Sequence, residues 1–242
     1  MKVISDILEF VSCIFYPNRC IFCDELMPPT ENLCDRCADS LPWIKGDVCP
    51  ECGSKKEDCQ CGRNHGNYYD GVASVFYYKD NVRECIHRFK FHGNKYAYKE
   101  LGFLMAERFR ECYSYIDFDY ITYVPMDSKR KRKRGYNQSA LLAERIAEEL
   151  NIPLGINLIE KIFPTEVQHE CTTEIERKGN LLGAFDINSE YDVCGKTVLL
   201  IDDVKTSGST LNECGKMLYL HGAERVFCLT AAVVNSIIKD NN

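Results

Sequence analysis

The hydrophobic rhythm of the chain changes near residue 66. Up to that point the chain is rich in cysteine and short on regular apolar periodicity. The exception is the amino end, where Val3, Ile7, Phe10, Val11 and Ile14 recur at helical spacing and predict an amphipathic helix that docks on the rest of the protein. Beyond residue 66, apolar runs alternate with amphipathic stretches. Residues 72–78, rich in β-branched and aromatic side chains, predict a strand, and 81–91 and 96–112 predict helices. Residues 120–124 form an apolar strand that stops at Pro125, and the next segment, 139–150, sets Leu142, Ile146 and Leu150 on one helix face. A buried-type strand is expected at 197–201, a helix closed by Gly222 at 211–221, and a second buried strand at 226–234. Strands alternating with helices of this length predict an α/β domain over 67–242, a mostly parallel sheet covered on both faces. Residues 1–66 form a separate small module, joined to it through the polar stretch 63–71.

Composition changes this picture little. The chain has 242 residues, 45% hydrophobic and 27% charged, which suits a globular protein with a sizeable core. Its net charge of −6 makes it no general binder of polyanions, so any anion site must be a local patch acting within a screening length of roughly 10 Å. No apolar run approaches the about 20 residues of a bilayer-crossing helix. Asp6 and Glu9 interrupt the apolar amino-terminal stretch, which argues against a signal-peptide core, and the cytoplasm is the expected location.

The cysteines change it more. Nine of fifteen fall in the first 61 residues. In a reducing compartment they point to metal rather than to disulfides. Cys20-x-x-Cys23, Cys34-x-x-Cys37, Cys49-x-x-Cys52 and Cys59-x-Cys61 are thiolate knuckles, each able to supply half of a tetrahedral zinc site. Eight thiolates make two closed four-cysteine sites with no open position for a catalytic water, so the zinc is expected to be structural and to stabilise the fold of the module. Sequential pairing gives Cys20, Cys23, Cys34 and Cys37 in one site and Cys49, Cys52, Cys59 and Cys61 in the other; a cross-braced arrangement is the alternative. Cys13 and the six later cysteines read as core, and the five histidines have no partner at ligand spacing.

The densest candidate chemistry lies at 198–210. Four apolar residues run into Asp202 and Asp203, then into Thr206, Ser207, Gly208, Ser209 and Thr210, which open a helix. Ligands of open α/β sheets bind at the carboxyl ends of strands, and a helix start offers unpaired N–H groups to a phosphate. Hydroxyls from Thr and Ser add donors, and Gly208 lets the backbone approach the anion. Paired acids beside such a loop suit the two hydroxyls of a ribose. A Walker A loop is excluded, because no Gly-Lys-Ser/Thr follows the glycine. Six consecutive cations, from Lys129 to Arg134, leave the strand at 120–124 on the same sheet edge. Such a turn repels itself unless an anion sits there, whether a pyrophosphate or a nucleic-acid backbone.

The Asp202–Thr210 stretch resembles the phosphoribosyl-pyrophosphate signature of type I phosphoribosyltransferases, with Lys205 standing where that family usually has an apolar residue. Together, the cysteine ribbon, Arg134-Gly135-Tyr136-Asn137-Gln138, Thr165-x-x-Gln168 with Arg177-x-x-Asn180, and the Asp-Asp loop resemble the ComF family of competence-associated phosphoribosyltransferase-like proteins over nearly the whole chain. That resemblance implies a type I phosphoribosyltransferase fold behind a double zinc ribbon. It implies ribose contacts by Asp202 and Asp203, and a 5-phosphate held by Thr206, Ser207, Gly208, Ser209 and Thr210. Pyrophosphate would fall to Arg130 and Arg134, with magnesium. Lys161 and Arg177 would belong to a mobile loop at 161–180 that closes over substrate, with Lys161 where the family usually carries arginine; a lysine lacks the bidentate fork. The implied role is uptake of single-stranded DNA in natural transformation, beside a competence helicase. Lys129–Arg134 and the zinc ribbon are the surfaces for DNA, Tyr136 is a candidate for base stacking, and a homodimer is a further candidate assembly. The alternative is a salvage phosphoribosyltransferase acting on a nucleobase or amine.

Overall fold

A computed structural model describes residues 18–59, 61, 66–91, 94–162 and 184–235. The expected amino-terminal helix, Arg177 and most of the 161–180 segment lie outside the described residues. In chain order, helix α1 (Asp35–Ser40) lies in the cysteine-rich module and is followed by β1 (Gly71–Tyr77), α2 (Asp80–Phe91) and α3 (Ala97–Tyr113). Then come β2 (Tyr120–Tyr123), α4 (Ser128–Arg134), α5 (Gln138–Leu150), β3 (Ile159–Lys161) and β4 (Phe185–Ile187), and last β5 (Thr197–Lys205), α6 (Ser209–Leu220) and β6 (Arg225–Val233).

Four strands form a sheet in the order β1-β6-β5-β2, every pairing parallel. The pleat sends successive side chains to opposite faces. Leu199, Ile201 and Leu229 pack against Leu101, Met105, Leu142 and Ile146 of α3 and α5. Val198, Leu200 and Val226 belong to the opposite layer, with Leu211 and Leu218 of α6 and Ile159 and Phe185 of the antiparallel β3–β4 hairpin. Strands buried on both faces explain the near-continuous apolar runs in β5 and β6.

β1 is the outer strand of the sheet, and its free side is covered by the cysteine-rich module. The Ile44 N–H donates to the Val75 carbonyl at 2.9 Å, Tyr77 N–H to Pro42 at 2.9 Å, and Val72 N–H to Pro50 at 2.8 Å. Phe76 packs its ring 4.5 Å from Trp43 and 5.5 Å from Phe22, centroid to centroid. Arg88 of α2 donates to the Ile21 and Phe22 carbonyls at 2.7 and 3.0 Å. An edge of unpaired backbone groups is thereby closed.

Two elements differ from expectation. β5 runs on to Lys205 rather than ending at 201, pairing Asp202 with Thr230 and Val204 with Ala232 of β6, so the two acids are strand residues. The cation run is the helix α4 rather than a turn. Asp127 caps it by accepting from the N–H groups of Lys129 and Arg130 at 2.9 and 3.3 Å. Gly135, at φ +84°, closes it with an N–H bond to the Lys131 carbonyl. Exposed like charges on a helix cost only about 0.2–0.5 kcal/mol per neighbouring pair, which a good cap at each end offsets.

Candidate functional site

Because β2 and β5 are parallel, the chain leaving each emerges at the same sheet edge. At that edge β5 presents Asp202 and Asp203 side by side. Asp202 Oδ1 accepts from the Ser139 hydroxyl at 2.9 Å, and from the Asp203 N–H at 2.8 Å. Asp203 Oδ1 lies 2.7 Å from Lys90 Nζ, and both side chains are largely buried. The acids are therefore unequal. Loss of water, followed by the charge of Asp203, pushes the Asp202 carboxyl up to about 7, against the pull of the Ser139 hydroxyl and Lys90. Asp203 has a cation of its own.

The sequence Arg134-Gly135-Tyr136-Asn137-Gln138 assembles this arrangement from beneath. Asn137 donates to the Val124 carbonyl at 3.0 Å and caps α5 by accepting from Ser139 N–H at 3.1 Å, which sets Ser139 beside Asp202. The Tyr136 hydroxyl and the Gln138 amide both donate to the Phe89 carbonyl in the last turn of α2. That anchors the turn from which Lys90 reaches Asp203. Tyr136 also stacks on Phe89, with centroids 5.8 Å apart, so this ring is already engaged in the turn.

After Lys205 the chain bends through Thr206, Ser207 and Gly208 into α6. Gly208 sits at φ +80°, and among the described residues no side chain caps the helix beyond a 3.4 Å approach of Ser207 Oγ to the Ser209 N–H. The first-turn donors of α6 are thus open to a ligand. Ser207 and Ser209 bring their hydroxyls within 2.5 Å of each other. A Cβ at Gly208 would lie 3.0 Å from Lys205 Cε and 3.4 Å from its Nζ. Lys205 is buried, so its ammonium lies under the loop and adds positive charge there. The second cysteine cluster adjoins the same loop. The Tyr69 hydroxyl donates to the carbonyl of Glu51, inside the Cys49–Cys52 knuckle, and would stand 3.7 Å from a Cβ at Gly208. Tyr68 N–H donates to Asn212 of α6 at 2.6 Å, and its carbonyl fits only because Gly215 has no side chain.

Helix α4 continues the edge. Residues 129–133 are exposed, and no carboxylate pairs with any of the six cations among the described residues. Half-buried Arg134 donates to Gln138 Oε1 at 3.2 Å. Between α4, the start of α5 and β3 lies a cavity of about 420 Å³, lined by Tyr123, Lys131, Tyr136, Asn157 and Lys161 among others. Lys161, at the end of β3, shares that cavity with Lys131. Of the residues singled out in the sequence, the structure gathers Asp202, Asp203 and the 206–210 loop at one edge with α4, and places Lys161 at the neighbouring cavity. Two residues of the site were not foreseen, Lys90 and Ser139. Ser139 directly follows the Arg-Gly-Tyr-Asn-Gln run, a signal that could have found it. Lys90 looks in sequence like any cation of an amphipathic helix end.

The cysteines form two clusters in sequential pairing, Cys20, Cys23, Cys34 and Cys37, and Cys49, Cys52, Cys59 and Cys61, with the sulfur atoms of each within 4.8 Å of one another. Their first knuckles share one turn. Asp24 N–H bonds to the Cys20 carbonyl and Gly53 N–H to that of Cys49, both at 2.9 Å, with φ +65° at Asp24 and +77° at Gly53. Four soft thiolates at this spacing fit a closed zinc site.

Family models for a double zinc ribbon domain and for a phosphoribosyl transferase domain match residues 11–66 and 137–240. Competence protein F of Haemophilus influenzae is 30% identical over 221 residues, covering 88% of this chain and 95% of its own length. Competence protein ComFC of Bacillus subtilis is 26% identical over 84% of this chain and 89% of its own. The DNA utilization protein YhgH of Salmonella typhimurium is 30% identical over 81% and 89% respectively. With its type I phosphoribosyltransferase fold and two four-cysteine zinc-ribbon sites, the chain belongs to the ComF family of competence proteins.

Proposed function

We propose that the carboxyl edge of the sheet binds 5-phosphoribosyl-1-pyrophosphate with Mg²⁺, and that the protein acts in the uptake and processing of single-stranded DNA during natural transformation. The observation that carries the first part is the pair Asp202 and Asp203, held by Ser139 and Lys90 directly before an uncapped helix start. Carboxylates accept from the ribose hydroxyls. The 206–210 loop and the first turn of α6 donate to the 5-phosphate, with Lys205 adding positive charge beneath. Arg130 and Arg134 take the pyrophosphate, and Lys161 with Arg177 supplies further cations. Magnesium would draw charge from the pyrophosphate oxygens. A nitrogen nucleophile offered to the anomeric carbon would make the site a phosphoribosyltransferase, the alternative outcome of the same pocket. The second part is supported by the names of the relatives and by the unpaired cations of α4, with a competence helicase as the motor partner.

A thermal-shift titration tests the reading. A ligand at one hundred times its Kd stabilises the folded state by about 2.7 kcal/mol. Phosphoribosyl pyrophosphate with Mg²⁺ is expected to raise the Tm of the wild type and to leave that of Gly208→Val unchanged; an unmoved wild-type Tm at millimolar ligand contradicts it.

A further inference from the structure

The cations of α4 outnumber what one pyrophosphate needs, and beside them stands an aromatic ring that the core does not use. Phe91, the last residue of α2, is 55% exposed. The guanidinium of Arg134 lies 4.6 Å from its ring centroid, and the His87 ring lies 4.9 Å away at 43°. The neighbouring residue, Lys90, points into the phosphoribosyl pocket as the partner of Asp203. Helix α2 thus ends with one side chain in the pocket and the next on the surface, at the end of a helix carrying six cations without carboxylate partners among the described residues. Tyr96, five residues on, is 74% exposed with Lys99 Nζ 6.0 Å from its ring.

From this we infer that Phe91, flanked by Arg134, is a stacking platform for an unpaired base of single-stranded nucleic acid, whose phosphates run along the exposed face of α4. An exposed ring with a cation over one face, the other face left to a base, and a basic track beside it fits a chain of alternating π-faces and phosphates. A duplex fits poorly, because its base faces are occupied. A free phosphate or pyrophosphate uses the cations and leaves Phe91 idle. The inference rests on the single-strand part of the proposed function and adds to it the surface, the ring and the position, at the mouth of the phosphoribosyl pocket.

The test is fluorescence anisotropy of a labelled twenty-residue oligothymidylate at two salt concentrations. The proteins are the wild type, Phe91→Ala, Phe91→Trp and the triple variant Lys129→Gln, Lys131→Gln, Lys133→Gln. Inorganic polyphosphate serves as a chain without bases. Phe91→Ala is expected to weaken the oligonucleotide roughly tenfold, about 1.4 kcal/mol and within the range for one stacked base, with the salt slope unchanged. Phe91→Trp keeps the affinity, and Phe91→Ala binds polyphosphate as the wild type does. The triple variant loses affinity for both ligands, and its salt slope falls by about 0.7 for each phosphate contact removed. Equal oligonucleotide binding by Phe91→Ala and wild type overturns the platform, as does a parallel loss of polyphosphate in Phe91→Ala. A wild type that ignores the oligonucleotide removes the single-strand reading itself, and the platform with it.

Discussion

Lys90 and Asp203 meet at 2.7 Å across the junction of α2 and β5, with little of either side chain in water. The pair gives Asp203 a partner cation, while Asp202, among the described residues, accepts from a hydroxyl and a backbone N–H. Lys90→Met removes that cation from beside both carboxylates. Ligand affinity is expected to drop at least tenfold at pH 7, and the pH at which binding is half-maximal should move upward, because one source that lowers the Asp202 pKa is gone. Calorimetry at several pH values reads both effects; an unchanged affinity would place Lys90 outside the site.

The pH dependence of stability follows from Asp202. Its folded pKa, about 7, lies above the unfolded value of 3.8, as burial and then Asp203 disfavour the charge. Stability from this group is therefore fully present below about 3.8 and lost as pH rises through about 7. Asp202→Asn carries no such loss. It is expected to be more stable than the wild type at pH 8, by on the order of 1–4 kcal/mol, with the difference shrinking toward pH 5. Urea denaturation at both pH values measures this.

Because three backbone hydrogen bonds and the Trp43–Phe76 contact join the cysteine-rich module to β1, metal loss should reach beyond the module. The purified protein is expected to hold two zinc ions per chain by elemental analysis. Cys49→Ser should lower both zinc content and Tm. It should also weaken ligand binding more than Cys20→Ser does, since the second cluster reaches the 206–210 loop through Glu51 and Tyr69. Equal effects of the two variants on ligand binding would count against that route.

Gly208→Ala places a Cβ at φ +80°, 3.0 Å from the Lys205 side chain. The expected cost is about 1–3 kcal/mol of stability, together with a larger fractional loss of ligand binding, as the loop changes its backbone course over the first turn of α6. Denaturant melts and titration separate the two.

Much of this architecture could be read from the residues themselves. Thr197 to Ile201 and the hydroxyl-rich run after Asp203 announce a buried strand turning into a helix, and knuckle spacing announces the cysteine clusters. The end of β5 was less legible, because paired acids suggest a loop while register with β6 keeps them extended as far as Lys205. The cations of α4 mask a helix whose signals are its two ends, Asp127 and Gly135. The β3–β4 hairpin pairs three-residue strands more than twenty residues apart, too short to carry a periodicity of their own. Lys90 is illegible for a different reason. Its importance comes from where the Phe89 carbonyl is anchored, by Tyr136 and Gln138 from distant sequence.

A phosphoribosyl-pyrophosphate pocket built on Asp202 and Asp203 is tested by calorimetric titration of that ligand with Mg²⁺ into the wild type and into the double variant Asp202→Asn, Asp203→Asn. Micromolar binding by the wild type and none by the variant is expected, with both proteins folded by circular dichroism. Absence of binding by the wild type, or equal binding by both proteins, would rule the pocket out.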